Sequence, residues 1–333
     1  MNRVSVVVPL YNEEENVPYL YKELTDVMRS FGREYELVFV DDGSRDATLK
    51  NLLETVGDDT CARVVEFRRN FGQTAAMAAG LEHARYDIVV TMDGDLQNDP
   101  KEIPSLVRKI EEGYDLVAGW RKFRKDRWLD RKLPSKIANW LISRTTRVQL
   151  HDYGCSLKAM TSEIAKSIKL YGEMHRFIPA LAEEVGAKIT EVPVNHRARR
   201  FGTSKYGISR TVRVVLDLLT VKFLLGYSKR PIHFFGPIGL ATSAMGGALI
   251  ALMTWQRFFN SQPMGNRPLL SLAVMLVIIG IQFLVFGLLA EVLARTYYES
   301  QRKPTYMVRN VFRGSKLDEK GAVIDWYRKQ VNE

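Results

Sequence analysis

Asp93 and Asp95, separated by one glycine and followed by Leu96 and Gln97, bring two carboxylates and a neutral amide oxygen within reach of a common point. A hard divalent cation accepts that donor set and keeps its remaining positions for water and phosphate oxygens, so the cluster can neutralise a diphosphate. An Asp-x-Asp pair alone is common in turns, and its setting decides its weight. Two further polar clusters, Tyr11-Asn12-Glu13 and Asp41-Asp42-Gly43-Ser44, precede it. No Gly-x-Gly-x-x-Gly follows the first apolar run and no Walker-type loop occurs, so glycine-rich phosphate cradling is not the device here.

Each cluster directly follows a short apolar or β-branched run. Val4 to Leu10, Glu36 to Val40 and Asp87 to Met92 read as buried strands, and Asn16 to Ser30, Ala47 to Val56 and Thr74 to Arg85 read as the helices between them. This βαβαβ series predicts an α/β fold with a mainly parallel sheet. Ligands of such sheets bind beyond the carboxyl ends of the strands, where the three clusters converge.

The chain has 333 residues with 48 Lys plus Arg against 38 Asp plus Glu, a net charge of +10, and 46% apolar residues, which excludes a wholly disordered protein. Two cysteines, Cys61 and Cys155, make no disulfide framework, and no Cys/His cluster has zinc spacing. The first apolar run is too short for a signal peptide and is followed at once by Glu13, Glu14 and Glu15, so the first part of the chain is expected in the cytosol.

Pro231 to Gln256 and Pro268 to Ala290 contain no Asp, Glu, Lys or Arg, and each is long enough at about 1.5 Å per residue to cross about 30 Å of hydrocarbon. The alternative is a buried helical hairpin of a soluble protein. A membrane hairpin with both ends in the cytoplasm follows from Lys229 and Arg230 before it and Arg295, Arg302 and Lys303 after it, although Arg257 and Arg267 in the outer loop weaken the bias. Gly239, Ser243 and Gly247 lie four apart and let helices pack closely, which leaves a homo-oligomer open. Thr211 to Leu225 carries charges at 213, 217 and 222 near one helical face, as a helix lying in the headgroup region would. The expected organisation is a globular domain over 1–208, a juxtamembrane amphipathic helix over 209–230, spans over 231–256 and 268–294, and a cytoplasmic tail over 295–333.

Most of the positive charge is local. Gly119 to Arg147 holds ten basic and two acidic residues, and His196 to Lys205 is a second basic loop. Nucleic acid is one reading of such patches. The adjoining spans favour instead an anionic lipid, with a lipid phosphate met by Arg121, Arg127, Arg131, Arg200 and Lys205. Some of these charges, Lys122, Lys125 and Lys136 among them, serve simply to dock the domain on anionic headgroups. Gly202, Thr203 and Ser204 suggest a segment that closes over the diphosphate and excludes water.

Pro9-x-Tyr11-Asn12-Glu13, Asp41-Asp42-Gly43-Ser44, Arg69-Asn70-Phe71-Gly72, Asp93-Gly94-Asp95-Leu96-Gln97 and Asp152-Tyr153-Gly154-Cys155, in that order and followed by a membrane hairpin, resemble the family-2 inverting glycosyltransferases that load a sugar onto a polyprenyl phosphate. The pattern is most similar to the bacterial GtrB-type undecaprenyl-phosphate glucosyltransferases, then to dolichol-phosphate mannose synthases. The resemblance implies a Rossmann-like GT-A fold in which Pro9, Tyr11, Glu13 and Asp42 surround the base and ribose of a nucleotide sugar, with Asp93, Gly94 and Gln97 at the same donor. It implies Mg²⁺ or Mn²⁺ held by Asp93, Asp95 and Gln97, UDP-glucose as donor, undecaprenyl phosphate as acceptor, and an inner-membrane location. Asp41 has two open readings, ligand contact or a cap that orders the loop before the next helix.

Asp152 matches the position the family reserves near the reacting centre, and with Asp95 and Arg121 it forms the expected catalytic set. A phosphate monoester, with a second pKa of about 6, is already largely dianionic and needs no deprotonation. The expectation is single in-line displacement with inversion, with Asp152 orienting the sugar or the acceptor, or acting as base. A membrane-anchored binding protein without catalysis is the reading of a different class. A processive polysaccharide synthase would need a Gln-x-x-Arg-Trp motif, which this chain lacks.

Overall fold

A computed structural model of the chain describes residues 3–122, 150–170, 174–198, 200, 232–260, 268–300 and 306–320. These fall into two units, one built from the first part of the chain together with its C-terminal segment, the other from the two long apolar helices. Arg127, Arg131, Lys205, the glycine-bearing loop at 202–204 and the expected amphipathic helix at 209–230 lie outside the described residues.

The first unit is a nine-stranded mixed sheet. In chain order it comprises β1 (Val4–Leu10), α1 (Val17–Phe31), β2 (Tyr35–Asp41), α2 (Thr48–Val56), β3 (Ala62–Phe67), α3 (Gln73–His83) and β4 (Ile88–Thr91). There follow α4 (Ile103–Glu111), β5 (Leu116–Trp120), β6 (Lys158–Thr161), α5 (Ser162–Ser167), α6 (Ile178–Glu184) and β7 (Ile189–Pro193). The two apolar helices are α7 (Ile232–Asn260) and α8 (Pro268–Ser300), and β8 (Val308–Arg313) and β9 (Lys316–Lys320) close the chain. The strand order is β7-β5-β6-β4-β1-β2-β3-β8-β9. Strands β3, β2, β1 and β4 are parallel, as the βαβ pattern requires, and β1 is buried along its whole length because helices cover both faces.

Each strand and helix named for the βαβαβ series is present with its ends displaced by two residues or fewer, whereas the two apolar helices run four and six residues past the expected spans. Within that series the missed strand is β3, whose apolar run is interrupted by Arg63 and Glu66, and β5 to β9 had no forecast. The C-terminal segment, expected as a tail, contains a hairpin: β8 lies antiparallel against β3 and covers what would be an open edge. Tyr306 seats the start of this hairpin by stacking on Phe67 and hydrogen bonding to Glu82.

Strand β6 runs antiparallel to both its neighbours, β4 and β5. Its start therefore lies at the same sheet edge as the ends of β4 and β5, and residues just before β6 meet residues just after those strands. The core beneath one face joins Val6, Val8, Leu20, Leu24, Met28, Phe39, Val90, Leu106 and Val117.

The second unit is a helical pair, with segments of 28 and 23 residues long and apolar enough to cross a membrane. Gly239 and Ser243 pack against Gly280: a Cβ on Gly280 would stand 2.1 Å from Ser243 Oγ and 2.6 Å from the Gly239 carbonyl. The stripe continues at Gly246, against Ala273, whereas Gly247 faces open space. A strict spacing of four drifts around a helix with 3.6 residues per turn, so the contact passes to the residue seven after Gly239. Leu240, Phe258, Met275, Leu288 and Leu293 are exposed on this unit, an apolar surface that water does not favour.

Candidate active site

All three clusters lie at the carboxyl edge of the sheet, joined by hydrogen bonds that cross large sequence distances. Asn12 adopts φ 54°, uncommon outside glycine, and its side-chain carbonyl accepts from Arg45 N at 2.9 Å while its own N–H donates to Ser44 Oγ at 3.0 Å. Glu13 N donates to Thr48 Oγ1 at 2.8 Å, and the Glu13 carboxylate accepts from the Asn16 side chain. The turn after β1 and the loop after β2 thus form one wall.

Asp42 is buried and accepts from Asn70 Nδ2 at 2.9 Å, Phe71 N at 2.7 Å and Gly72 N at 2.9 Å. Its carboxylate holds the loop after β3 in place, and burial pushes its pKa up to about 6 against the opposing effect of those backbone donors. Gly43 is required there: its φ is 63° and a Cβ would fall 2.3 Å from the Arg69 backbone. Asp41 accepts from Ser44 N at 3.3 Å, which orders the loop, while Asp46, two residues before α2, accepts from Thr48 N at 3.0 Å. Asp41 Oδ1 is buried with no hydrogen-bond partner among the described residues, and burial raises its pKa. An acceptor in that state costs about 1–3 kcal/mol unless a ligand or water supplies a donor.

At the end of β4, Gly94 presses on β1, where a Cβ would stand 2.3 Å from Leu10 Cδ2. Leu96 adopts φ 60°, a left-handed conformation that a bulky residue holds only where its surroundings impose it. Asp93 accepts from Gln73 Nε2 at 2.7 Å, and Asp95 accepts from Gln97 N at 3.1 Å. The Asp93 pKa is raised, first by burial and then by the negative charge of Asp95. Two carboxylates in mutual repulsion, with Gln97 beside them, fit a divalent cation whose other positions go to phosphate and water. Among the described residues there is no cluster of three or more His, Cys, Asp or Glu side chains placed to hold a metal ion.

Asp152, just before β6, meets Arg121, just after β5, as the antiparallel placement of β6 dictates. Arg121 Nε donates to Asp152 Oδ2 at 2.6 Å and Arg121 Nη2 to Oδ1 at 2.9 Å, a bidentate pair, and Gly154 N donates to Oδ1 at 3.1 Å. Asp152 is buried and Arg121 largely so, and although burial opposes the Arg121 charge, the Asp152 carboxylate holds its pKa above the usual arginine range.

Four groups at this site had no forecast from sequence. Lys158, the first residue of β6, is fully buried, donates to the Cys155 carbonyl, and has its pKa lowered by burial, with Cys155, Asp152 and Asp93 acting against that. A single lysine between Leu157 and Ala159-Met160 was the available signal. Gln73 opens α3 directly after Asn70-Phe71-Gly72, which marks it only in hindsight. Arg197 pairs with Asp99 and Glu23, each at 2.6 Å, and donates its N–H to the Gln97 carbonyl at 2.8 Å. Asn195 donates to Asp99 at 3.2 Å, so the second basic loop starts against the carboxylate cluster. Arg200 is exposed, with its guanidinium 4.3 Å from the centre of the Tyr19 ring.

A mixed sheet carrying an Asp-x-Asp cluster at its carboxyl edge, a bidentate Arg–Asp pair beside it and a separate pair of apolar helices define a sugar-nucleotide transferase of the GT-A type. The chain belongs to glycosyl transferase family 2, whose sequence profile matches residues 5–168. A dodecaprenyl-phosphate galacturonate synthase of Rhizobium johnstonii is 50% identical over 313 residues, 93% of each protein. The fold is shared with glucosyl-3-phosphoglycerate synthase of Mycobacterium tuberculosis, solved with Mn²⁺ and UDP-glucose, at 22% identity and a TM-score of 0.51 over 66% of this chain and 79% of that one. Mannosyl-3-phosphoglycerate synthase of Rubrobacter xylanophilus shares it at 18% identity and a TM-score of 0.55, over 67% and 74% of the two chains.

Proposed function

We propose that this glycosyltransferase moves a sugar from a nucleoside diphosphate donor to a polyprenyl phosphate at the cytoplasmic face of the inner membrane. The observation that carries this reading is the adjacency of the Asp93–Asp95 carboxylates to the buried Arg121–Asp152 pair, in a chain whose other unit is two apolar helices. The relative at 50% identity, named for dodecaprenyl phosphate, supports a polyprenyl acceptor.

Asp41, Tyr11 and Glu13 form the nucleotide wall, with Asp41 Oδ1 the acceptor left for a donor N–H of the base, while Asp42 keeps the 70–72 loop in place beneath it. Pro9, next to last in β1, sets its carbonyl 3.3 Å from where a Cβ on Gly94 would stand and contributes the floor. Asp93, Asp95 and Gln97 would hold Mg²⁺ or Mn²⁺, which supplies charge neutralisation at the diphosphate. The Mn²⁺ in the related fold supports a divalent ion. Arg121 directs a guanidinium toward the meeting point of two anions, whose Coulomb repulsion is the main obstacle to reaction. Asp152, engaged by both nitrogens of that fork, positions Arg121; the acceptor phosphate attacks as the dianion and needs no base. Displacement in line inverts the anomeric carbon. Arg127, Arg131, Arg200 and Lys205 are assigned to the lipid phosphate by sequence position.

Residues before α7 and after α8 both belong to the sheet-bearing unit, so the chain leaves it and returns to it. That connectivity supports a hairpin with both ends on one side of the membrane, the side of the positive flanks.

For the sugar, the galacturonate of the 50% relative is the better-supported reading. The glucose expected from motif resemblance has no support beyond fold likeness at 22% identity. Transfer from UDP-galacturonate, UDP-glucose and GDP-mannose to undecaprenyl phosphate, compared with purified full-length protein, tests both levels. Galacturonate transfer at least about tenfold above the others in kcat/KM supports the reading. Preference for glucose would overturn the sugar assignment, and no lipid product with any donor would overturn the function.

A further inference from the structure

We propose that the opposite edge of the sheet carries a second binding site, for a small phosphate-bearing anion, and the inference stands apart from the choice of sugar. A cavity of about 400 Å³ lies at the amino ends of β2, β3 and β4, and Arg33, Arg63, Arg85, Arg313, Glu34 and Glu36 are among its lining residues. That volume lies within the range of about 300–1,000 Å³ usual for small-ligand sites.

The strand register makes the charge arrangement specific. Arg63 of β3 is directly opposite Arg313 of β8. Residues opposite one another in a ladder project from the same face, and like charges so placed destabilise the sheet. Arg63 is only 7% exposed and forms no hydrogen bond or ion pair with the described residues. Glu34 and Glu36 line the same cavity, but neither forms an ion pair with Arg63. Glu36 accepts from Ser5 Oγ at 2.6 Å and from Arg85 N at 2.7 Å, and Glu34 accepts from the Tyr86 hydroxyl at 3.1 Å. Arg33 pairs with Glu111 at 2.9 Å.

A largely buried guanidinium with no direct ion-pair partner among the described residues, placed opposite a second arginine in the ladder, is a costly arrangement for folding alone. An oxyanion held between Arg63 and Arg313, with Arg85 at the rim, removes both the burial cost and the cross-strand repulsion. Phosphate suits this best, because its oxygens match guanidinium forks in pairs. Because Arg313 belongs to β8, the bound anion also fastens the C-terminal hairpin to the rest of the sheet.

The test uses detergent-solubilised full-length protein with divalent ions chelated, so that cation-assisted phosphate binding at Asp93 and Asp95 is suppressed. Pyrophosphate and inorganic phosphate are titrated in one arm, by calorimetry and by amide hydrogen exchange of β8. Vesicles with and without phosphatidic acid form the other arm and separate a free phosphate from a lipid headgroup. Saturable binding with added protection of β8 is expected, unchanged in Asp95→Ala and weakened at least about tenfold in Arg63→Met. Arg85→Met with Arg313→Met, at exposed positions, should weaken it similarly and guards against misfolding of the Arg63 variant. Absence of saturable binding to both phosphate forms and to the vesicles, or equal binding by wild type and these variants, would overturn the proposal.

Discussion

Arg121 and Asp152 stand 31 positions apart and form a bidentate ion pair at the site, with contacts of 2.6 and 2.9 Å. Two parallel hydrogen bonds need a planar fork, which lysine lacks. Arg121→Lys is therefore expected to lower transfer by about 10²-fold or more, the scale of losing one aimed donor. Asp152→Asn should lower kcat through a misplaced Arg121 while leaving the acidic limb of the pH–rate profile in place. Loss of that limb would instead assign Asp152 as a base. Asp42 yields a stability prediction of definite sign. Its pKa is raised from 3.8 to about 6 in the fold, so between those values the folded state holds a proton that the unfolded chain has released. Stability contributed by the protonated form is present at low pH and is lost as pH rises through about 6. Compared with Asp42→Asn in chemical denaturation, the wild type should lose ground between pH 4 and pH 6.5 and change little above that.

At the scale of elements, the antiparallel β6 brings the Asp152 loop to the edge where β4 and β5 end. A βαβ pattern forecasts only parallel neighbours, and nothing in the four residues of β6 announces its direction. The clusters after β1, β2 and β4 were legible because each directly follows an apolar strand. Their internal division of labour was not. Asp41 and Asp42 are adjacent in sequence, yet one carboxylate faces backbone N–H groups of a loop some thirty residues on, and the other keeps an oxygen with no partner among the described residues. Alternation of side chains along an extended chain makes such neighbours diverge, and only the packed loop shows which way each points. In the helical pair, Gly280 admits no side chain against Ser243 and Gly239. Gly280→Leu should separate α7 from α8 and lower the apparent Tm of the detergent-solubilised protein, whereas Gly247→Leu, at an open position, should have little effect.

For the whole molecule, orientation and metal dependence are the properties to measure. Cys61 is exposed on the sheet-bearing unit. A membrane-impermeant thiol reagent should label it in inside-out vesicles and spare it in right-side-out ones, and the reverse result would invert the proposed topology. Chelation should abolish donor binding by wild type, and Asp95→Ala should reproduce that loss in the presence of metal.

The amino-acid order by itself determined the parallel βαβ core, the two apolar helices and the three polar clusters, because these follow from local periodicity and from what directly succeeds a buried strand. Tertiary structure alone decided the antiparallel β6, the return of the C-terminal hairpin to β3, the Arg121–Asp152 pair and the facing of Arg63 by Arg313. Each of these joins residues distant along the chain, and strand register sets such partners only once the sheet has assembled.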